Sequence, residues 1–230
     1  MPYVHLLPMA DRRELEGHVQ VFLAEKSFEG CGGLELSDEI RLTIAAQACL
    51  LLLHRETDYF PRMSSVLVYP STYVTPGEEL LPDGTVIEGD DPRYGESWDS
   101  GAVVLAWDES LRGAVGSRDG ENVILHEFAH QLDQADGEAD GRPRLPRRSM
   151  RRPWAEVCAR EYEALCRDAD LGRETVLDPY GAENAAEFFA VATEAFFERP
   201  RAMQREHPEL YALFAEYFVQ DPAAFEGWAC

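Results

Sequence analysis

The chain has 230 residues, 45% of them hydrophobic and 10% aromatic, which is enough to bury a substantial core. Its 21 basic and 43 acidic residues give a formal net charge of −22, which disfavours nucleic acid and anionic membrane surfaces as partners because polyanions are repelled. Met1 to Ala10 has no basic segment ahead of an apolar one, and the longest apolar stretch, Ile44 to Leu53, is far too short to span a bilayer, so no signal peptide or membrane span is read and a cytoplasmic location is expected.

Glu14 to Phe28 carries Leu15, Val19, Phe22 and Leu23 at helical spacing and stops at Gly30-Cys31-Gly32-Gly33. Ser37 is a plausible N-cap for a second helix, with Asp38 and Glu39 at the positive end of its dipole and a run through Leu42, Ala45, Ala46, Cys49 and Leu53 that is apolar nearly all round. His54 closes this run as a dipole partner. The period then changes: Ser65 to Tyr69 is a β-branched strand closed by Pro70, and Gly84 to Gly89 reads as a short second strand. Gly89 to Gly95 is the clearest loop. Gly101 to Trp107 is the third strand, and a short connection leads to Asp119, a potential cap for the helix that follows.

That helix contains His126-Glu127-Phe128-Ala129-His130. Positions i and i+4 share one helix face, so both imidazoles can reach one tetrahedral metal. Glu127 lies about 100° around the helix, where it can take a proton from an attacking water without itself ligating. The flanking Val123, Ile124, Leu125, Ala129 and Leu132 make the helix strongly apolar. Such a helix has little reason to bury two imidazoles and a carboxylate without a partner.

Asp136 to Pro153 is rich in Gly, Asp, Pro and Arg, with Arg142, Arg144, Arg147, Arg148, Arg151 and Arg152 crowded into one stretch. It reads first as a solvated loop balancing nearby acid and second as a docking patch for an acidic partner or a peptide C-terminus. Trp154 to Cys166 resumes helical spacing, and Leu171 to Asp178 is a loop. From Glu183 onward a helix apolar on most faces contains Glu187 and Glu194, seven apart and on one face. Arg199 to Phe218 forms a last helix, broken near Pro208. Cys31, Cys49, Cys158, Cys166 and Cys230 are odd in number and form no C-x-x-C pair, so they are read as reduced and structural.

A catalytic zinc site needs a third protein ligand and an open fourth position. The residue six after His130 is Asp136 rather than His, so the third ligand is a carboxylate or one of His5, His18, His54 and His207. Glu187 is the best candidate, an acid in an apolar helix downstream of the motif. Glu194 is then placed to accept from an imidazole N–H and fix its tautomer, although the two roles can be exchanged.

His126-Glu127-Phe128-Ala129-His130, followed 61 residues after the first His by Ala186-Glu187-Phe188-Phe189-Ala190, resembles the Mlc titration factor A family of zinc peptidases and, more distantly, the catalytic domain of anthrax lethal factor. The likeness runs from about Val66 to Phe197. It implies that Glu187 is the third zinc ligand and that Tyr180, seven residues before it, assists catalysis as a donor to the oxyanion. It also implies that the Gly101 to Trp107 strand is the sheet edge against which a peptide pairs. In some members an additional His approaches the metal from the loop before that strand, and Arg93 to Trp98 here contains none.

The expectation is therefore an α+β chain, mainly helical with a small mixed sheet: one zincin-like metallopeptidase domain of the gluzincin type over 1–230, helical over about 1–60, with sheet and catalytic helices over about 64–218. One Zn2+ would sit on His126, His130 and Glu187. Glu127 and Tyr180 would act on a peptide substrate with aminopeptidase-like activity, without direct nucleic-acid or membrane contact. The other reading is a regulatory protein that sequesters a transcription repressor of the Mlc type, for which an acidic surface suits a basic DNA-binding partner.

Overall fold

The computed structural model describes residues 2–71, 73–80, 86–93, 95–98, 101–115 and 119–225, with the backbone alone for 2–3, 73–80, 86–93 and 95–98. Helices α1 (Pro2–Leu6) and α2 (Met9–Glu25) lead into strand β1 (Ser27–Gly30), followed by α3 (Asp38–Leu50) and β2 (Ser65–Tyr69). Then come β3 (Tyr73–Leu80), β4 (Val86–Arg93), β5 (Gly95–Trp98) and β6 (Ala102–Ala106). The rest is helical: α4 (Trp107–Val115), α5 (Val123–Asp133), α6 (Arg151–Asp170), α7 (Ala185–Glu198), α8 (Pro200–Glu206) and α9 (Pro208–Phe218).

The main sheet has the order β1-β2-β6-β5, the first three strands parallel and β5 antiparallel. The sheet is thus small and mixed in a mainly helical chain. The edge expected at Gly101 to Trp107 is corrected: β6 pairs with β2 on one side and with β5 on the other, from Gly95 opposite Leu105 to Trp98 opposite Ala102. All five β6 residues are buried, as befits a strand covered on both faces. Among the described residues the edge on that side of the sheet is β5.

Other expectations shift in identifiable ways. Leu15, Val19 and Phe22 are buried on α2, but the helix stops at Glu25 and Phe28 belongs to a strand, in register with Val66. The Gly89 to Gly95 loop is instead strand as far as Arg93, paired antiparallel with β3. Pro76 and Pro92 are tolerated there because each strand of a two-stranded ribbon has an unpaired side. Of the predicted Gly84 to Gly89 strand, the first two residues lie outside the described residues. The supposed connection after β6 contains α4.

Ser37 caps α3 by accepting from the Ile40 N–H, as predicted, with Asp38 and Glu39 in the first turn. The helix ends at Leu50, and buried Leu51, Leu52 and Leu53 follow as tight turns onto the carbonyls of Ala48, Cys49 and Leu50. His54 is not a dipole partner. At φ 62 it turns back, its backbone N–H donating to Glu14 at 2.7 Å and its ring Nδ1 lying 3.0 Å from the same carboxylate. Cys31, Cys49, Cys158 and Cys166 are free thiols; Cys230 lies outside the described residues. The break at Pro208 is present, Pro208 opening α9.

Two aromatic groups hold the site helices from behind. Phe128 of α5 meets Phe60 at 4.9 Å and Phe22 at 5.7 Å between ring centres, all three fully buried. On α7, Phe189 and Phe196 pack with Trp154, Phe214 and Phe218. Burying such rings contributes about 1.5–3 kcal/mol each, so both helices are fixed on their apolar sides while their polar sides face one another. No helix among the described residues is long and apolar enough to cross a membrane.

Candidate metal centre

Each helix that carries a candidate ligand starts at an asparagine. Asn122, rather than the predicted Asp119, caps α5: its side-chain oxygen accepts from the Leu125 N–H at 3.1 Å. Asp119 instead accepts from Glu121 at 3.1 Å. Asn184 caps α7, accepting from Ala186 at 2.9 Å and from Glu187 itself at 3.0 Å. The caps fix where each helix begins, and hence the direction in which the side chains one turn later point.

Those side chains converge. Nε2 of His126 lies 3.2 Å from Nε2 of His130 and 2.9 Å from Oε2 of Glu187, and the His130 nitrogen lies 3.4 Å from that same oxygen. Three donors at about 2.0–2.1 Å from a tetrahedral zinc stand about 3.3 Å apart. The triangle therefore fits such an ion, and the three residues form a group able to hold a metal. Each keeps 11–16% of its side-chain surface exposed, so the site is open on one face. The remaining histidines have other surroundings: His5 is exposed on α1, His18 meets Tyr59, His54 meets Glu14, and His207 lies 2.8 Å from Glu161.

Behind the triangle, Glu194 meets Nδ1 of His126 at 2.6 Å and accepts from the Asn122 backbone N–H at 2.5 Å. It thereby directs Nε2 of His126 toward the triangle. Burial opposes charge on His126, but the Glu194 and Glu187 carboxylates outweigh it and hold the imidazolium well above its usual range. Burial also raises Glu187, yet its contacts with His126 and His130 prevail and bring it to about 2.

Glu127 is 5% exposed and its Oε2 has no hydrogen-bond partner among the described residues. Burial pushes its carboxyl up to about 7, against the pull of His126 and His130. An acid poised near neutrality beside a polar cluster suits proton transfer. Tyr180 lies in a 3-10 turn, Pro179–Ala182, whose entry Asp178 caps, with its ring 6.0 Å from that of His126. The side chains of Arg93 to Trp98, where a further His was sought, lie outside the described residues.

Sequence reasoning missed Asn122. Only 3% exposed, it also donates its amide to Gln47 at 2.7 Å and to Glu198 at 2.9 Å, tying α3, α5 and α7 together at the back of the site. An asparagine directly ahead of an apolar helical run was the available signal. Asp133, fully buried at the end of α5, was missed as well.

The family model described as glucose-regulated metallo-peptidase M90 matches residues 1–219. An uncharacterized protein of Synechocystis is 43% identical over 224 residues, covering 96% of this chain and 81% of its own length. Mlc titration factor A of Pectobacterium atrosepticum is 34% identical over 224 residues, 95% of this chain and 83% of the relative. That of Escherichia fergusonii is 31% identical over 225 residues, 96% and 84% respectively. With the match running through both site helices and nearly the whole sequence, the chain belongs to the glucose-regulated metallo-peptidase M90 family, whose curated relatives include the Mlc titration factor A proteins.

Proposed function

We propose that this metal-dependent hydrolase is a zinc metallopeptidase of zincin-like, gluzincin type, binding one Zn2+ through His126, His130 and Glu187 and acting as an aminopeptidase on small peptides. The observation that carries the reading is the donor triangle of 2.9, 3.2 and 3.4 Å beside the buried Glu127, whose Oε2 has no hydrogen-bond partner among the described residues. When bound, zinc acidifies water and polarises a carbonyl. The protein's own residues do the rest. Glu127 takes a proton from the attacking water and delivers it to the leaving amine. Glu194 keeps the Nε2 lone pair of His126 aimed, and the Tyr180 phenol donates to the oxyanion as charge develops there. The extended peptide pairs with β5, the antiparallel edge strand, in place of the internal β6.

The test is peptide hydrolysis and zinc content measured together on the wild type and Glu127→Gln. Zinc is retained and turnover disappears in the variant, and a chelator removes activity from the wild type; full activity in Glu127→Gln refutes the mechanism. A second reading, sequestration of a transcription repressor, draws on the name of the Mlc titration factor A relatives and on the −22 net charge. Capture of a purified repressor by Glu127→Gln, with binding and no turnover, supports it.

A further inference from the structure

Asp133 falls on the stripe of α5 that carries His126 and His130, one turn further along. Its Oδ2 accepts the backbone N–H of Gly141 at 2.8 Å, and Trp154 Nε1 donates to the Gly141 carbonyl at 3.2 Å. Gly141 also presses on the start of α7: a Cβ there would stand 2.2 Å from the carbonyl oxygen of Ala185, two residues before Glu187. The chain is therefore pinned where the two site helices meet. Beyond that point buried and exposed residues alternate, with Gly141 and Pro143 in and Arg142 and Arg144 out. Buried Met150 and Trp154 anchor the far end and leave Arg147, Arg148, Arg151 and Arg152 exposed.

The guanidinium groups thus project from a loop whose two ends meet at Gly141 and Trp154, at the end of α5 and the start of α7. Arg142, Arg147 and Arg152 have carboxylates at 3.9, 3.4 and 2.7 Å. Arg144, Arg148 and Arg151 make no ion pair among the described residues, in a chain of net charge −22 whose one lysine, Lys26, lies elsewhere. Guanidinium suits carboxylates because its planar fork matches both oxygens. A long polyanion would feel the repulsion of the whole protein, whereas a short acidic segment feels mainly the local field within a Debye length of about 8–10 Å.

We propose that the 142–152 segment is a carboxylate-binding face flanking the metal centre, and that it selects acidic polypeptide segments as substrates; this rests on the peptidase reading above. The test uses the full chain carrying Glu127→Gln, loaded with zinc, and two labelled peptides identical except for three Glu in one and three Gln in the other. Fluorescence anisotropy at low salt gives binding of the Glu peptide about tenfold tighter, the scale of two or three exposed ion pairs, and the advantage shrinks in high salt. Adding Arg144→Gln, Arg148→Gln and Arg151→Gln removes the advantage and leaves Gln-peptide binding unchanged, which also shows that the variant is folded.

Equal binding of the two peptides overturns the proposal, as does a preference that survives the triple substitution. So does displacement of the Glu peptide by an oligonucleotide at matched charge concentration, or a triple variant whose one effect is loss of self-association in sedimentation. Failure of the peptidase reading is distinguishable: the chain with Glu127 intact then hydrolyses neither peptide, while the contrast in binding persists.

Discussion

Glu194→Gln isolates the alignment of the proposed metal ligands from the ligands themselves. One carboxylate, 6% exposed, serves Nδ1 of His126 at 2.6 Å and the Asn122 N–H at 2.5 Å. A carboxylate offers acceptors alone, whereas a carboxamide has one oxygen and one NH2. In the variant one of the two contacts must therefore set donor against donor. If the NH2 faces Asn122, the start of α5 loses its anchor. If it faces His126, the ring has to present a lone pair at Nδ1 and carry its proton on Nε2, the atom that faces His130 and Glu187. Either arrangement spoils the ligand. Changes behind a metal-bound histidine cost about 10–100-fold in affinity, or about 1.4–2.7 kcal/mol. Competition with a chromophoric chelator measures this, with metal-free unfolding followed in parallel. Zinc affinity within twofold of wild type in a folded variant would refute the reasoning, and a lowered melting temperature alone would assign Glu194 to the fold.

Two further substitutions probe the end of α5. Burial pushes the Asp133 carboxyl up to about 6, against the Gly141 N–H that favours its charge. The native state then binds the proton more tightly than the unfolded chain, so stability falls as pH rises from about 4 to about 6, by about 2–3 kcal/mol at most, and stays reduced above that. Asp133→Asn keeps an oxygen for Gly141 and abolishes the titration; urea unfolding should show it more stable than wild type at pH 7.5 and without that gain at pH 4, and an equal effect at both pH values would contradict the assignment. Gly141→Ala faces both φ +73 and a Cβ 2.2 Å from the Ala185 carbonyl oxygen, so a loss of about 2 kcal/mol or more is expected in the same assay. Wild-type stability there would mean that the segment shifts freely.

The parts legible in the sequence are those set by local chemistry. The His126 and His130 spacing, the Ser37 cap and the apolar runs around Phe128 and Phe189 declare themselves because helix periodicity and capping act within one or two turns. Pairing does not. Phe28 reads as the end of a helix until Val66 appears beside it, and Gly101 to Trp107, an edge by the family resemblance, is internal once β5 is laid along it. A strand's neighbours come from distant sequence, and nothing within the strand says how many it will have. The same limit hid Asn122. Its capping role was available from position, but its ties to Gln47, Glu194 and Glu198 join residues about 75 apart.

The separation of Glu187 from Glu194 is also a matter of packing rather than pattern. Both lie on one face of α7, seven apart, and sequence alone allowed either to be the ligand. Because α7 crosses α5 with its N-terminal end nearer the exposed side, the earlier glutamate reaches the two Nε2 atoms and the later one reaches the Nδ1 side of His126. The difference in burial, 16% exposed against 8%, matches that division. In the proposed site the outer carboxylate stays accessible to a metal; the inner one satisfies two buried N–H groups and would cost about 1–3 kcal/mol per orphaned group if withdrawn. Among the surrounding Phe, Ala and Ile side chains the cluster is paired internally: burial pushes Glu127 up to about 7, and the Glu194 and Glu187 carboxylates favour the imidazolium of His126. A cation bound at the donor triangle, as proposed, would replace the pairing that His126 gives Glu187, which ties the stability of this corner of the fold to the chemistry it is proposed to perform.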